Sequence, residues 1–450
     1  MCHVSDILAS MMILGRTAVF LYAENWPSGR RRTLGKRVRG RPLRGFESHV
    51  LRHLSEGHMR IVFVVAVFSF LSISTYSIEY FPKNYKEARK KFIDLSIANG
   101  GQLSKELIRS KIDNDLTIDV SYFPAKVKKE KIIIITSGIH GPESYLGSAA
   151  QILFLSKYLD KMNRTNTSVL LVHSLNPYGF KYGRRTNEDN IDLNRNLSID
   201  KDIFNIKNSG HSSMLDVLSP EGEVDSMFLS NFIWSLIKKL VSGLAISEVR
   251  NGITSGQYKH PKSIYFGGTD FSQQRNFLMK LYKKVIPAYS QVLALDLHTG
   301  LGEKGTLHLI SGGKDYLSSS SIKQQQKTFF DKSEKFYKLT TADTPGFYST
   351  TGDMNDFLAS ICGKEKLVVA LTAEFGTMGL SLPRQIQSLN RMIKENQGHF
   401  WGYSDNSVKK TVKDSFIELF NPDDEEWKLS VIRSLDRIFS TELNKFVETL

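Results

Sequence analysis

Cysteine is almost absent from this sequence of 450 residues, which contains only Cys2 and Cys362. Two cysteines so far apart, one of them near the N-terminus, exclude a disulfide framework and a cysteine-based zinc finger. A metal site in this chain must therefore use histidine and carboxylate ligands. Apolar residues make up 41% and charged residues 24% of the chain, which excludes collagen-like, low-complexity and wholly disordered classes.

Two common catalytic signatures are also missing. There is no GxSxG elbow and no HExxH motif, so the serine hydrolase and zincin classes lose their main support. The glycine spacing from Gly300 to Gly305 imitates a phosphate-binding loop, but Thr306 stands where such a loop requires lysine. We therefore do not expect nucleotide binding.

No uncharged run is long enough to span a bilayer, which needs about 20 apolar residues. The run Ile61–Ile73 has 13 apolar or small residues, follows Arg60, and is followed by small residues at Thr75 and Ser77. This is the pattern of a signal peptide, with a basic start, an apolar centre and a small-residue cleavage site. We predict a signal peptide at 59–77 and a secreted or periplasmic protein without a stable membrane span; a cytoplasmic location is the alternative.

Residues 1–58 precede this predicted signal peptide, although signal peptides lie at the start of a chain. Eight basic residues fall between Arg30 and Arg44, a density found in nucleic-acid-binding arms, but the remaining 392 residues carry a charge of only +8. We expect no nucleic-acid partner. Residues 45–48 (GFES) can be encoded by a string containing TTCGAATC, which is typical of transfer-RNA genes. Our hypothesis is that 1–58 are a mis-called extension and that Met59 is the true start, which a missing cloverleaf upstream of codon 59 would contradict.

The rest of the chain, 78–450, alternates apolar strands with amphipathic helices and has no linker or repeat, which predicts a single domain. Near-continuous apolar runs separated by helices predict an α/β three-layer sandwich with a largely parallel mixed sheet covered by helices on both faces. The strongest predicted strands are Lys131–Thr136, Ser168–Ser174, Val292–His298 and Lys366–Ala373. The predicted helices are Tyr85–Asn99, Tyr145–Lys161, Asp225–Val241, Phe271–Lys284, 384–397 and 424–447.

Polar residues end several of these strands, at the sheet edge where such folds bind ligands. His140 and Glu143 follow the first strand, and His298 ends the third. Two histidines and a glutamate are a zinc ligand set that leaves a fourth position open for water. HxxE alone is common by chance, and a single strand-end histidine is more often structural. The coincidence of ligand type with strand ends favours a metal site.

Further polar residues favour a hydrolytic site at the same edge. Glu374 follows the fourth strand and is a candidate general base, with a surface or capping carboxylate as the alternative. Arg185 or Arg195 could bind a substrate carboxylate bidentately, and Asn194 could add a donor. Asp192 could orient a ligand histidine by accepting its second N–H.

The order of these motifs is similar to that of the zinc carboxypeptidase superfamily, which includes carboxypeptidase A, succinylglutamate desuccinylase and aspartoacylase. It is most similar to an uncharacterised bacterial branch, from about Tyr80 to the segment Asn421–Trp427. The motifs that carry the resemblance are Gly138–Glu143, Asn187–Asn190, Asp192–Arg195, Gly256–Tyr258, Tyr265–Gly268, His298–Gly302 and Ala373–Gly376.

The resemblance implies a role for each candidate. His140, Glu143 and His298 resemble the ligands of one zinc ion per chain. Glu374 resembles the general base and Arg185 the arginine that polarises the scissile carbonyl, with Arg184 as a competitor for that role. Asn194 and Arg195 resemble the clamp on the substrate carboxylate, and Asp192 the partner of the first histidine. Tyr348 is a candidate for the family's substrate tyrosine, and Tyr258 either lines the cleft or caps it.

The sequence therefore predicts a zinc metallohydrolase, in the first place a carboxypeptidase that cleaves a C-terminal peptide bond with a Glu general base. An N-acyl amino-acid deacylase is the first alternative, and a non-catalytic binding protein on the same fold is the second. The expected partner is a peptide or N-acyl amino acid with a free carboxylate. The sequence makes no prediction of the oligomeric state.

Overall fold

The computed structural model of the protein describes residues 79–241, 252–311, 330, 335–341, 347 and 350–448. The predicted extension at 1–58, the predicted signal peptide at 59–77 and Tyr348 lie outside the described residues and stay predictions. Within the described ranges, no helix is both long enough and apolar enough to cross a bilayer.

The first helix shows how local sequence sets the ends of an element. Helix α1 (Tyr85–Ala98) begins after Asn84, whose side chain accepts a hydrogen bond from the Glu87 N–H. Such an N-cap satisfies one of the unpaired donors of the first turn. The helix ends before Gly100, which adopts a positive φ of 71°, and this confirms the predicted helix to within one residue.

The described residues include an eight-stranded mixed sheet. Its strands are β1 (Gln102–Leu107), β2 (Thr117–Phe123), β3 (Lys131–Ser137), β4 (Thr167–His173), β5 (Gln291–Gly300), β6 (Leu307–Ser311), β7 (Tyr337–Thr340) and β8 (Leu367–Gly376). Their spatial order is β1-β2-β4-β3-β5-β8-β6-β7. The central strands β4, β3, β5 and β8 are parallel, whereas β1, β2 and β6 join the sheet through antiparallel pairs.

Helices account for most of the remaining described residues. They are α2 (Ser144–Lys157), α3 (Pro177–Tyr182), α4 (Ser209–Ser213), α5 (Leu215–Leu218), α6 (Phe228–Val241), α7 (Gln273–Val285), α8 (Met354–Cys362), α9 (Leu382–Trp401), α10 (Asn406–Phe420), α11 (Glu425–Arg437) and α12 (Leu443–Glu448). Short 3-10 segments at Gly141–Glu143 and Leu193–Arg195 lie beside the candidate site.

Side chains that alternate along the central strands build two separate cores. Ile133 and Ile135 of β3 belong to one core, which also contains residues of α1, α2 and α11. Ile132 and Ile134 belong to a second core with residues of α7 and α8. Because successive strand residues point to opposite faces, helices cover both faces of the sheet. This confirms the predicted α/β three-layer sandwich with a largely parallel mixed sheet.

The carboxyl ends of three neighbouring parallel strands bring the candidate residues together. β3 ends just before His140, β5 includes His298, and β8 includes Glu374. The turn after β3 depends on Gly138, which has a φ of 68°. A Cβ there would lie 2.1 Å from the Ser174 Oγ, so only glycine allows this turn to pass so close to its neighbours.

Candidate metal centre and active site

His140, Glu143 and His298 form a buried group, which we call the metal group. Their potential ligand atoms all lie within 4.8 Å of one another. The His140 Nδ1 lies 2.8 Å from the Glu143 Oε1, and the His298 Nδ1 lies 3.0 Å from the Glu143 Oε2. Both imidazoles therefore present the same ring nitrogen to one carboxylate. The structure brings together the three residues that the sequence predicts as ligands.

Each histidine has a carboxylate behind it. The His140 Nε2 lies 3.0 Å from the Asp192 Oδ1, as predicted for that pair. The His298 Nε2 lies 2.7 Å from the Asp296 Oδ2, a partner that the sequence reasoning missed. The signal was present, because residues two apart on a strand share a face, and Asp296 precedes His298 by two on β5.

The charges in this group compensate one another. Burial disfavours the charged form of Glu143, but His140 and His298 outweigh it and hold the pKa of that carboxyl well below its usual range. Burial also opposes charge on His298, yet Asp296 and Glu143 raise the pKa of its imidazole well above the ordinary value. Without a metal, protons and arginines supply the positive charge that these buried carboxylates need.

Arg185 lies at the mouth of this group. Its Nε is 3.1 Å from the Asp192 Oδ2 and its Nη1 is 3.4 Å from the Glu143 Oε1. The side chain is 16% exposed, and its guanidinium lies over the Tyr265 and Phe420 rings. A partly exposed guanidinium held by two carboxylates can meet negative charge on a ligand at the metal group.

Arg184, the neighbouring arginine, is buried and its side chain lies elsewhere. Its Nη2 donates to the Asn190 Oδ1 at 2.7 Å and to the Asn396 Oδ1 at 3.0 Å. Its Nε lies 3.5 Å from the Glu395 Oε1. Of the two arginines between which the sequence could not choose, only Arg185 contacts the metal group.

Asn194 and Arg195 follow Asp192 on a 3-10 segment. The Asn194 Oδ1 accepts a hydrogen bond from the Met354 N–H at 3.2 Å. Arg195 is 1% exposed and donates to the carbonyl oxygens of Asn194 and Thr254 at 2.8 and 2.9 Å. A guanidinium has five N–H groups, and these two bonds leave others, including the buried Nε–H, without a partner among the described residues.

Tyr258 is buried, and its hydroxyl donates to the Arg195 carbonyl at 2.8 Å. Its ring contacts Phe204 edge-on, with 5.8 Å between ring centroids. Burial raises the pKa of its phenol. Its hydroxyl therefore holds the Arg195 backbone, and the choice between lining and capping the cleft stays a prediction.

Glu374 lies beside the metal group on the neighbouring strand. In the β5–β8 pair it is directly opposite His298, and its Oε1 accepts a hydrogen bond from the Leu301 N–H at 2.8 Å. The residue is 8% exposed. Burial raises the pKa of its carboxyl to about 7, with Glu143 adding to the shift and His298 opposing it. A carboxyl with this pKa can both accept and release a proton near neutral pH.

The described residues fit a divalent metal ion by a simple test of donor chemistry. Because Asp192 and Asp296 accept from each Nε2–H, both Nδ1 atoms face Glu143, and a metal ion that replaced their protons would meet two nitrogen lone pairs there. Two imidazole nitrogens and one carboxylate are a common zinc ligand set. The residues present therefore suit a metal such as zinc.

Solved structures that the chain resembles include three metallocarboxypeptidases. Bovine thrombin-activatable fibrinolysis inhibitor, solved with tick carboxypeptidase inhibitor, is 12% identical, with a TM-score of 0.41 over 79% of this chain and 98% of that one. Carboxypeptidase A from Helicoverpa armigera is 12% identical, with a TM-score of 0.39 over 75% and 73%. A metallo-carboxypeptidase from Burkholderia cenocepacia is 12% identical, with a TM-score of 0.36 over 75% and 71%. Likeness at this level does not establish an activity.

No protein with a curated function is similar enough to the chain to match it. The family model that matches describes a family without an assigned function, as the sequence resemblance predicts. Its description is "Protein of unknown function (DUF2817)", and its model covers residues 81–434. This protein therefore belongs to that family.

Proposed function

We propose that this protein is a zinc-dependent hydrolase that cleaves an amide bond beside a free carboxylate, in the first place the C-terminal bond of a peptide. The observation that carries the proposal is the shared carboxylate of Glu143 between two imidazoles, each oriented by its own aspartate. One zinc ion per chain would be held by His140, Glu143 and His298. When bound, it would supply Lewis acidity and lower the pKa of water.

Glu374 is the proposed general base. It is largely buried opposite His298, and its pKa of about 7 suits proton transfer at neutral pH. It would take a proton from the attacking water and deliver it to the leaving nitrogen. The Leu301 N–H fixes one carboxylate oxygen, which leaves the other free to hold the proton.

Arg185 is the proposed group that stabilises negative charge on the scissile carbonyl oxygen. Asp192 and Glu143 fix the guanidinium in advance, so little reorganisation is needed when charge develops. Asn194 and Arg195 are the proposed clamp for the substrate carboxylate, with the Arg195 Nε–H, which has no partner among the described residues, as one donor.

The test is to purify the protein, measure bound metal by elemental mass spectrometry, and assay peptides with free C-termini beside N-acyl amino acids. We expect about one zinc ion per chain, the ratio of three protein ligands to one ion in catalytic sites. Glu374→Gln should keep the metal and lower kcat by about a hundredfold to ten-thousandfold.

The substrate panel separates the remaining alternatives. Release of C-terminal residues supports a carboxypeptidase, whereas turnover of N-acyl amino acids alone indicates a deacylase. Turnover that is indifferent to Glu374→Gln contradicts the proposed site. Ligand binding without turnover by the zinc-loaded protein would favour a non-catalytic binding protein.

A further inference from the structure

The amino ends of the parallel strands form a continuous edge, opposite the end that carries the metal group. Backbone hydrogen bonds join its segments in sequence: Lys126 N–H to the Arg164 carbonyl, Ser290 N–H to the Glu130 carbonyl, and Leu367 N–H to the Ser290 carbonyl. Segments 124–130, 157–166, 283–290 and 363–366 therefore lie side by side along this edge, which we call the basic edge.

Charge is concentrated on the basic edge. Its four segments contain ten basic and three acidic residues, although the chain after residue 58 carries only +8 in total. Most of the net positive charge of residues 59–450 therefore lies at one end of the sheet. The exposed lysines are Lys126, Lys128, Lys129, Lys161, Lys283, Lys284 and Lys364.

These seven lysines are not neutralised by neighbours. Among the residues that the structure describes, none of the seven forms an ion pair with a carboxylate. Elsewhere on the same surface such pairs do form, for example Lys90 with Asp94 and Lys410 with Asp414, both at 2.5 Å. An unpaired cluster of positive charge attracts an anionic partner, and this attraction weakens as the salt concentration rises.

The composition of the edge distinguishes between anionic partners. Nine of its ten basic residues are lysines, and the single arginine, Arg164, is half-buried over the Phe123 ring at 5.7 Å. Lysine provides a point charge, whereas arginine provides the bidentate fork that reads nucleic-acid phosphates. The edge tyrosines, Tyr158 and Tyr289, are not exposed, so no aromatic platform is available for stacking bases.

One apolar residue projects from the centre of this charge. Val127 is 79% exposed between Lys126 and Lys128, at the tip of the β2–β3 connection. An apolar tip flanked by lysines suits the boundary between lipid headgroups and acyl chains. We propose that the basic edge docks on the surface of a membrane rich in anionic phospholipids.

This orientation leaves the proposed active site away from the lipid. The metal group lies at the opposite ends of β3, β5 and β8, and β5 has ten residues, which corresponds to about 30 Å at the usual rise per residue. A protein docked through the basic edge would therefore present its cleft to soluble substrates. The inference does not depend on the chemistry of that cleft.

The test uses the full chain and sedimentation with phosphatidylcholine vesicles that contain or lack phosphatidylserine. We expect binding only when phosphatidylserine is present. The charge-reversal variant K126E/K128E/K129E should bind at least about tenfold more weakly, because each lysine near an anionic surface contributes to affinity. A matched variant, K86E/K105E/K409E, reverses three exposed lysines elsewhere and should bind within about twofold of the unchanged protein if position, not total charge, decides.

Three results would overturn the proposal. Binding that ignores phosphatidylserine, or no vesicle binding at all, removes the lipid partner. An equal loss of vesicle affinity in the two triple variants means that only net charge matters. The basic N-terminal segment is present in both variants, so it cannot cause a difference between them. Binding of a homopolymeric RNA that K126E/K128E/K129E abolishes, without vesicle binding, assigns the basic edge to nucleic acid instead.

Discussion

Two aspartates decide which nitrogen of each histidine faces the metal group. Asp192 and Asp296 each accept from an Nε2–H, so Nδ1 is the nitrogen of both histidines that faces Glu143. The arrangement is symmetrical, although Asp192 is the N-cap of a 3-10 segment and Asp296 lies on β5. Both carboxylates are buried, so each holds its imidazole without competition from water.

The first prediction concerns Asp296. Asp296→Ala should lower metal affinity about tenfold to a hundredfold, the usual effect of removing a carboxylate behind a ligand histidine. Asp296→Asn keeps a hydrogen-bond acceptor without the charge, and its metal affinity should lie between those of Asp296→Ala and the unchanged protein. Affinity is measured by competition with a chelator, with Asp160→Asn, an exposed aspartate on the opposite edge of the sheet, as control. Unchanged affinity in Asp296→Ala would show that the aspartate does not support the site.

The second prediction separates the two adjacent arginines. Arg185→Lys should lower kcat by about a hundredfold or more, the cost of losing a positioned donor to the carbonyl oxygen. KM and the melting temperature should change little, because lysine keeps the positive charge beside Asp192 and Glu143. Steady-state kinetics and thermal unfolding together test this. A large fall in melting temperature together with the loss of kcat would indicate a structural role instead.

Among the elements, helix α9 holds the turn that contains Arg184 and Arg185. The buried face of this helix presents Glu395 and Asn396, which contact the Arg184 guanidinium, while Glu395 also pairs with Lys413 of α10 at 2.6 Å. Glu395 and Arg184 are both almost fully buried. Removing one partner of a buried ion pair leaves an uncompensated charge.

The third prediction follows from this pair. Glu395→Gln should lower the free energy of unfolding by about 3 kcal/mol, the cost of breaking a buried ion pair. Urea unfolding measures the loss. Asp414→Asn, which removes the exposed partner of Lys410 on α10, should change stability by less than about 1 kcal/mol. Similar small effects in both variants would show that the Arg184 network is not needed for the fold.

The central strands could be predicted because their burial requires continuous runs of apolar residues. Strands β3, β4, β5 and β8 are covered on both faces, so each reads as an apolar run. Strand β1 was not predicted, since all six of its residues are exposed and no apolar periodicity marks it. It is held instead by its antiparallel pairing with β2.

The candidate metal ligands could be predicted from their places at strand ends, but other parts of the site were overlooked or left open. Asp296 lies within a predicted strand and reads as an interior residue, so its place two residues before His298, on the same face, was overlooked. The choice between Arg184 and Arg185 depends on Asn396, 212 positions away from Arg184, which no local pattern can indicate. The hydrogen bonding of Arg195 depends in the same way on Thr254, which is 59 positions away along the chain.

On the scale of the whole molecule, buried neutral histidines make stability depend on pH. Burial lowers the pKa of His173 to about 3, and that of His211 and His308 to about 4. His173 stacks on Phe92 with 4.6 Å between ring centroids, and its Nε2 contacts the Ser148 Oγ at 2.8 Å. These contacts leave no room for a hydrated charge.

The fourth prediction is loss of stability in acid. In the unfolded chain these histidines bind protons below their ordinary pKa of about 6.5, whereas in the folded protein they stay neutral down to a pKa of about 3 or 4. The contribution of these histidines to stability should therefore be complete above about pH 6.5 and fall as the pH drops. Each such histidine contributes about 1.4 kcal/mol per pH unit within its window.

His173→Gln isolates one of these contributions. The variant should be less stable at neutral pH because it loses the stacking on Phe92, yet its stability should fall less steeply with acid, by one proton's worth of slope between about pH 6 and pH 4. Urea unfolding at several pH values measures the slope. His260→Gln, at a more exposed histidine, should keep most of the original slope. If His173→Gln keeps it too, then His173 is protonated in the folded protein and the acid sensitivity has its origin in the carboxylates.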